Sequence, residues 1–404
     1  MQALHARARA HGDAQGERFA TRSAIRRGAM ALAASAGLLA DAASAQSNVT
    51  LYGILDEGVD YVTNAGAGGH LWSLPSGVRQ GSRFGVRGSE ELGGGTKAVF
   101  TLESGFHVHN GQSAIPNSFF GRQTWVGLSN RTAGTLTLGR QYDLMGTLLG
   151  ANFAAGSTYG GNYQYHFIDI DRVSGQRIDN SVLWMSPEVG LGGGTLSGGA
   201  MYGFGQSPGR DPVSGREFSN FNKRTVSAGL LYAKGAFKIG GAYTNINDPH
   251  VFALGSALPI GGAAFHALPV CSVYQKISNQ RIAGVGASYD FGKVWLHGMA
   301  TNTRLKDYDG HGVTAQAYEV GTKVSFAPAW YAGLDYAMTR IEKNTYHQLN
   351  SIVDYSLSKR TDVYGMVSWQ RALGPTAHAK VSAVLPSSTS GNQIVYRVGM
   401  RHRF

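Results

Sequence analysis

The chain has 404 residues, 43% of them hydrophobic and 15% charged, with 57 Gly, 11 Pro, one Cys and a formal net charge of +11. With Cys271 alone, neither an intramolecular disulfide framework nor a cysteine-based zinc cluster is available. The abundance of Gly and aromatics, 10% Phe, Trp and Tyr, leans towards an all-β chain, while length alone allows one large domain or two ordinary ones.

The first feature along the chain is a leader. Arg22, Arg26 and Arg27 precede an apolar stretch over residues 28–40, and Ala43-Ser44-Ala45 forms an A-x-A cleavage pattern. An apolar stretch of about 13 residues is well short of the ~20 that a helix needs to span a bilayer. Residues 1–45 are therefore expected to be a signal peptide and residues 46–404 the mature domain, which leaves the cytoplasm. Removing the leader leaves 30 of the 36 basic and 22 of the 25 acidic groups, a net charge of +8. Export and the scatter of the basic residues along strands argue against a nucleic-acid partner and for a lumen that prefers anions.

After the leader no apolar run is long enough for a transmembrane helix, yet short period-two segments recur from Val49 to the end. Sixteen are predicted, at 49–63, 81–90, 96–106, 121–128, 135–140, 177–186, 194–204, 225–232, 237–245, 281–289, 294–303, 317–326, 331–339, 347–357, 362–371 and 394–404. An even count suits a closed single-chain barrel. Links after even-numbered segments are short, such as 91–95, 233–236, 290–293 and 358–361. Most links after odd-numbered segments are long: 64–80, 141–176, 205–224, 246–280 and 372–393. Short turns on one side and long loops on the other describe an antiparallel transmembrane β-barrel with both termini at the periplasmic side.

The last segment is the clearest. Ile394, Tyr396, Val398, Met400 and Phe404 share one face, and Arg397, Arg401 and Arg403 the other. Likewise Phe100 and Leu102 oppose Thr101 and Glu103, and Phe84 and Val86 oppose Arg83 and Arg87. A soluble sandwich gives the same alternation, with one face on the core and one in water. The export signal, terminal Phe404 and the alternation of link lengths favour the barrel.

Seven stretches in order carry a family resemblance: Val49 to Gly53, the run Gly81 to Phe106, Phe120-Gly121-Arg122-Gln123, Leu138-Gly139-Arg140-Gln141, Arg177 to Val182, Leu357-Ser358-Lys359-Arg360-Thr361 and Arg401-His402-Arg403-Phe404. Over nearly all of the mature chain they resemble the trimeric Gram-negative general porins, especially the type common in β-proteobacteria. The resemblance implies an outer-membrane homotrimer of sixteen-stranded barrels, in contact with lipid and lipopolysaccharide. It also implies that the third long loop, residues 141–176, folds inward to narrow a pore for small hydrophilic solutes and inorganic ions. A terminal Phe in that family is read by the barrel-assembly machinery, and Phe404 stands there. By family position Arg83, Arg122 and Arg177 form the basic side of the constriction. Glu103, on the lumen face by parity, supplies an acidic counterpart, with Asp143 and Asp179 as further candidates near the loop.

Local patterning complicates two arginines. Arg122 shares parity with Thr124, Val126 and Leu128, which turns it towards lipid unless the strand begins after it or bulges there. Arg140 has the same conflict beside Leu136 and Leu138 and is expected at a strand end. Glu57 falls on the face of Val49, Leu51 and Val59, and is expected at the rim.

Enzyme motifs are thin: no H-E-x-x-H or phosphate-cradling glycine loop occurs, and no cofactor or metal is implied. Asp169-Ile170-Asp171 resembles the start of a calcium loop but lacks the later ligands. The leading expectation is a passive, weakly anion-selective pore. The alternatives are a substrate-specific channel, or a barrel that serves as scaffold for an enzyme or adhesin.

Overall fold

A computed structural model describes residues 47–404 apart from 67–68, 206–208, 211–216, 219–223, 248, 250–276 and 308–309. The leader and Cys271 lie outside the described residues. Sixteen strands form the wall: β1 Ser47–Thr63, β2 Arg83–Gly93, β3 Thr96–Gly105, β4 Gln123–Asn130, β5 Gly134–Tyr142, β6 Arg177–Met185, β7 Gly194–Gly203 and β8 Thr225–Lys234. They continue with β9 Phe237–Asn247, β10 Ile277–Asp290, β11 Val294–Asp307, β12 Gly312–Ala327, β13 Trp330–Ile341, β14 Asn344–Ser356, β15 Thr361–Leu373 and β16 Asn392–Arg403.

Each strand pairs antiparallel with its neighbours in sequence. The ring closes on β1, whose first half pairs with β2 from Ser47↔Glu90 to Ile54↔Arg83 and whose second half pairs with β16 from Ile54↔Arg403 to Val62↔Val395. Closure satisfies every edge within the sheet, which hydrocarbon demands because it offers no hydrogen bonds. The predicted pleat holds: Val398 is 72% exposed while Arg397 beside it is 2% exposed. Val126, Leu128, Leu136, Leu138, Val285 and Val320 likewise stand outward. Among the described residues no helix is long and apolar enough to cross a membrane.

Several strands run further than predicted at the loop side. In β11 the alternation continues past Thr303, with Leu305 and Asp307 buried inward while Arg304 and Lys306 are exposed outward. A charged outward face belongs above the hydrocarbon, so an apolar-face criterion stops short of the true strand end. The tryptophans divide. Trp72, Trp184 and Trp330 are exposed, but Trp295 shares the inward parity of His297 and stacks on it, 4.4 Å between centroids.

Residues 143–176 begin at β5, end at β6, and touch inward-facing groups all round the far wall. The Leu144 N–H donates to Ser227 Oγ on β8 at 3.2 Å, and Phe153 lies over Gly240 of β9 and Gly286 of β10. Gln280 of β10 donates to the Ile170 carbonyl at 2.9 Å. Tyr159 packs over Gly321 and Gly333 of β12 and β13, and Phe167 stacks on Tyr346 of β14. At such places a glycine on the wall leaves the room a ring needs. Tyr163 donates to Asp60 of β1. Two other loops join this packing. The Asn162 N–H donates to the Val78 carbonyl at 2.7 Å, and Ala379 belongs to the buried cluster of Phe167 and Ile168.

Candidate functional site

The sequence-predicted residues fall into one assembly and two separate pairs. Glu103 of β3 is 3% exposed and sits among the arginines instead of opposite them. Its Oε1 receives Arg122 Nε at 2.7 Å, its Oε2 lies 3.8 Å from Arg83 Nη1, and Tyr52 OH donates to Oε2 at 3.1 Å. Arg122 Nη2 and Arg177 Nη2 both donate to Tyr142 OH at 2.9 Å, and the Arg177 guanidinium lies 4.8 Å above the Tyr142 ring. Arg83, Arg122 and Arg177 therefore form one row, bridged by a carboxylate and a phenol.

The local backbone explains why Arg122 faces inward. β4 begins at Gln123, so Arg122 precedes the strand and escapes its parity. Its side chain crosses Gly105, where an added Cβ would lie 2.9 Å from Arg122 Cδ. Arg140 is turned by a register shift between Gly139 and Gln141, at which Gly139 has φ +139, a conformation that glycine alone adopts readily. Arg140 Nε donates to the Gly121 carbonyl at 2.6 Å and its Nη1 pairs with Asp179. Asp179 thus pairs with Arg140. Asp143 is fully buried and receives Arg172 Nε at 3.0 Å.

Four participants were not singled out from the sequence: Tyr52, Tyr142, Arg172 and the inward role of Arg140. Tyr142 was hidden because the shift at Gly139 ended the period-two signal two residues early. The Tyr52 side chain could have been found from parity with Ile54 and Asp56 on β1. Glu57 packs near His109, 4.0 Å between Oε2 and Nδ1.

The row occupies β2 to β6, whereas residues 143–176 mainly cover the inner face of β8 to β14 and reach β1 through Tyr163. In a ring of sixteen these are opposite sides. On the row, three guanidinium groups stand against one carboxylate, so the local field favours anions; fixed charge beside a low-dielectric wall focuses that field. In a water-filled channel, width and field decide which solutes cross. Among the described residues no group of three or more His, Cys, Asp or Glu is arranged to hold a metal ion.

Known proteins give the same picture. Residues 29–374 match the family described as Gram-negative porin. An outer membrane porin protein of Bordetella pertussis is 28% identical over 401 residues, covering 90% of this chain and 96% of the relative. Outer membrane porin protein 32 of Delftia acidovorans is 29% identical over 402 residues, covering 93% and 98%. Among solved structures, an anion-selective porin from Comamonas acidovorans superposes with a TM-score of 0.68 at 24% identity, covering 89% of this chain and all of that one. Vibrio cholerae OmpT superposes at 0.61 with 14% identity, covering 89% and 99%. With its closed wall, inward arginine row and family match over most of its length, this chain belongs to the Gram-negative porin family and is a channel of the bacterial outer membrane.

Proposed function

We propose that this porin is a passive, weakly anion-selective pore for small hydrophilic solutes and inorganic ions. Its constriction lies between the row Arg83, Arg122 and Arg177 with Glu103 on one side and residues 143–176 on the other. The observation that carries this reading is the charge of the row, three guanidinium groups to one carboxylate, on the wall opposite the loop. Asp143 and Asp179 are each held by their own arginine and so add little net charge to the throat. The similar fold of an anion-selective porin from Comamonas acidovorans agrees with this reading.

Residues 1–45 act as the cleavable export signal, and Phe404 as the mark read by the barrel-assembly machinery. The channel works as a homotrimer among lipid and lipopolysaccharide; the related OmpT fold is described in a trimer form. No catalytic role is assigned, since the inward-facing groups read as a filter and as loop anchors.

Reversal potential across a planar bilayer in a salt gradient is the test. Wild type should favour chloride over potassium, and Arg83→Glu should move the potential towards cations. A cation-preferring wild type overturns the selectivity. Saturation of the current by one sugar or acid would favour a substrate-specific channel.

A further inference from the structure

We propose that His166 and Glu319 are positioning residues that latch residues 143–176 to the wall and thereby hold the pore at its working width. This rests on the constriction reading above.

The latch is a buried ionic knot. The His166 ring lies between two carboxylates: Nδ1 contacts Asp171, and Nε2 is 3.1 Å from Glu319 Oε2, with all three side chains fully buried. The other oxygen of Glu319 accepts the Ala155 N–H at 2.6 Å and lies 3.5 Å from His297 Nδ1. His297 Nε2 is 3.0 Å from Tyr159 OH, which donates onward to the Leu334 carbonyl at 3.1 Å. Asp171 also accepts from Thr301 Oγ1 at 2.5 Å. One carboxylate on β12 thus gathers Ala155 and His166 of the loop, with Tyr159 tied in through His297 and Asp171 through His166. The surrounding groups that carry or can take charge are Asp169, Asp171, Tyr159 and Tyr165 from the loop, His297 from β11, Glu319 from β12 and Asp335 from β13. Asp335 is itself held by Asn350 at 2.8 Å.

The anchors elsewhere on the segment are mostly neutral: apolar contacts of Phe153 and Phe167, and hydrogen bonds such as Gln348 to the Tyr163 carbonyl at 2.6 Å. A buried ion stripped of its partner is strongly destabilising, whereas neutral anchors vary little with pH. Besides the Arg172–Asp143 pair and the hydrogen bond of Tyr163 to Asp60, the knot is where gaining or losing a proton changes the loop's hold sharply. Burial alone would lower the His166 pKa, but Asp171 and Glu319 raise it well above the ordinary imidazole value. The sign follows: the contribution of His166 is complete below its ordinary value and is lost as pH rises through the higher folded value. Burial alone would raise the Asp171 pKa, but His166 brings it below the carboxylate range. Its contribution is lost only as pH falls through that depressed value. The latch is closed across the neutral range and opens on alkalinisation.

The test is single-channel recording on the purified full-length barrel as a function of pH, for wild type, His166→Gln, Glu319→Gln and Glu319→Asp. Wild type should gain open-channel noise and conductance reversibly on alkalinisation. Glu319→Gln, with one carboxylate removed from beside the proton, should shift that midpoint down by about one pH unit or more. Glu319→Asp should restore part of the shift, and His166→Gln should abolish the pH dependence. A flat wild-type profile, which needs no variant to fold, overturns the latch, as does an unshifted midpoint in Glu319→Gln. Ala151→Trp, at an exposed loop position away from the knot, separates the two ideas. If it lowers conductance while the latch variants behave as wild type, only the latch fails. If it leaves conductance unchanged, the constriction reading fails and the latch with it.

Discussion

A single inward arginine can carry either selectivity or cohesion, and its partners decide which. Arg83, Arg122 and Arg177 share one carboxylate, Glu103, and so leave net positive charge in the lumen. Arg397 does the opposite. It is buried at the closing seam, 2.7 Å from Asp60 and 3.4 Å from Asp56, and donates to Tyr364 OH at 3.0 Å. Arg397→Met should cost about 3–5 kcal/mol, because two buried carboxylates lose their counter-charge. Denaturant unfolding of the refolded barrel measures this, and a change below about 1 kcal/mol would contradict it. The reversal potential should stay near wild type, since the row on β2 to β6 is untouched. Arg401 bonds Asp362 at 2.8 Å and Arg403 bonds the same carboxylate at 3.2 Å, which makes them wall charges by the short-turn side.

At the scale of elements, loop and wall are fitted to each other through glycines. A Cβ on Gly333 would run into the ring of Tyr159, whereas one on Gly190 would meet open space. Gly333→Val should therefore lower stability by about 1–3 kcal/mol and disturb the loop. In single-channel traces this should appear as altered conductance, with Gly190→Val as the neutral control. Equal traces from the two variants would refute the fit. This pairing was not legible beforehand, because a glycine in a strand pattern does not reveal what leans on it. The strands themselves were legible: their period-two faces and the alternation of link lengths placed all sixteen. Their loop-side ends were not, since outward charge above the hydrocarbon removes the apolar signal, as at Arg304 and Lys306.

For the whole molecule, closure joins the first strand to the carboxyl-terminal residue. Gly53 and Phe404 exchange backbone hydrogen bonds at 3.1 Å each way, and the Phe404 ring covers Gly53. Phe404 has a structural use as well as the proposed recognition role, and the two separate by experiment. Phe404→Ala should lower the amount of folded barrel in cells several-fold while reducing refolding yield in detergent only slightly. An equal deficit in both settings would remove the recognition role and leave the seam contact.

The sequence by itself determined the wall and its polarity. Alternation is a local property of an extended chain, and a membrane punishes any slip that turns charge into hydrocarbon. It also supplied the members of the arginine row, by position in a resembling family. Only the tertiary structure decided how those residues combine. A strand start at Gln123 and a bulge at Gly139 reversed the faces of Arg122 and Arg140. The long loop brought His166 to Glu319, 153 residues away in sequence, by crossing the barrel. Partners so distant meet through the closed ring, and no local periodicity records which inward charge will find which.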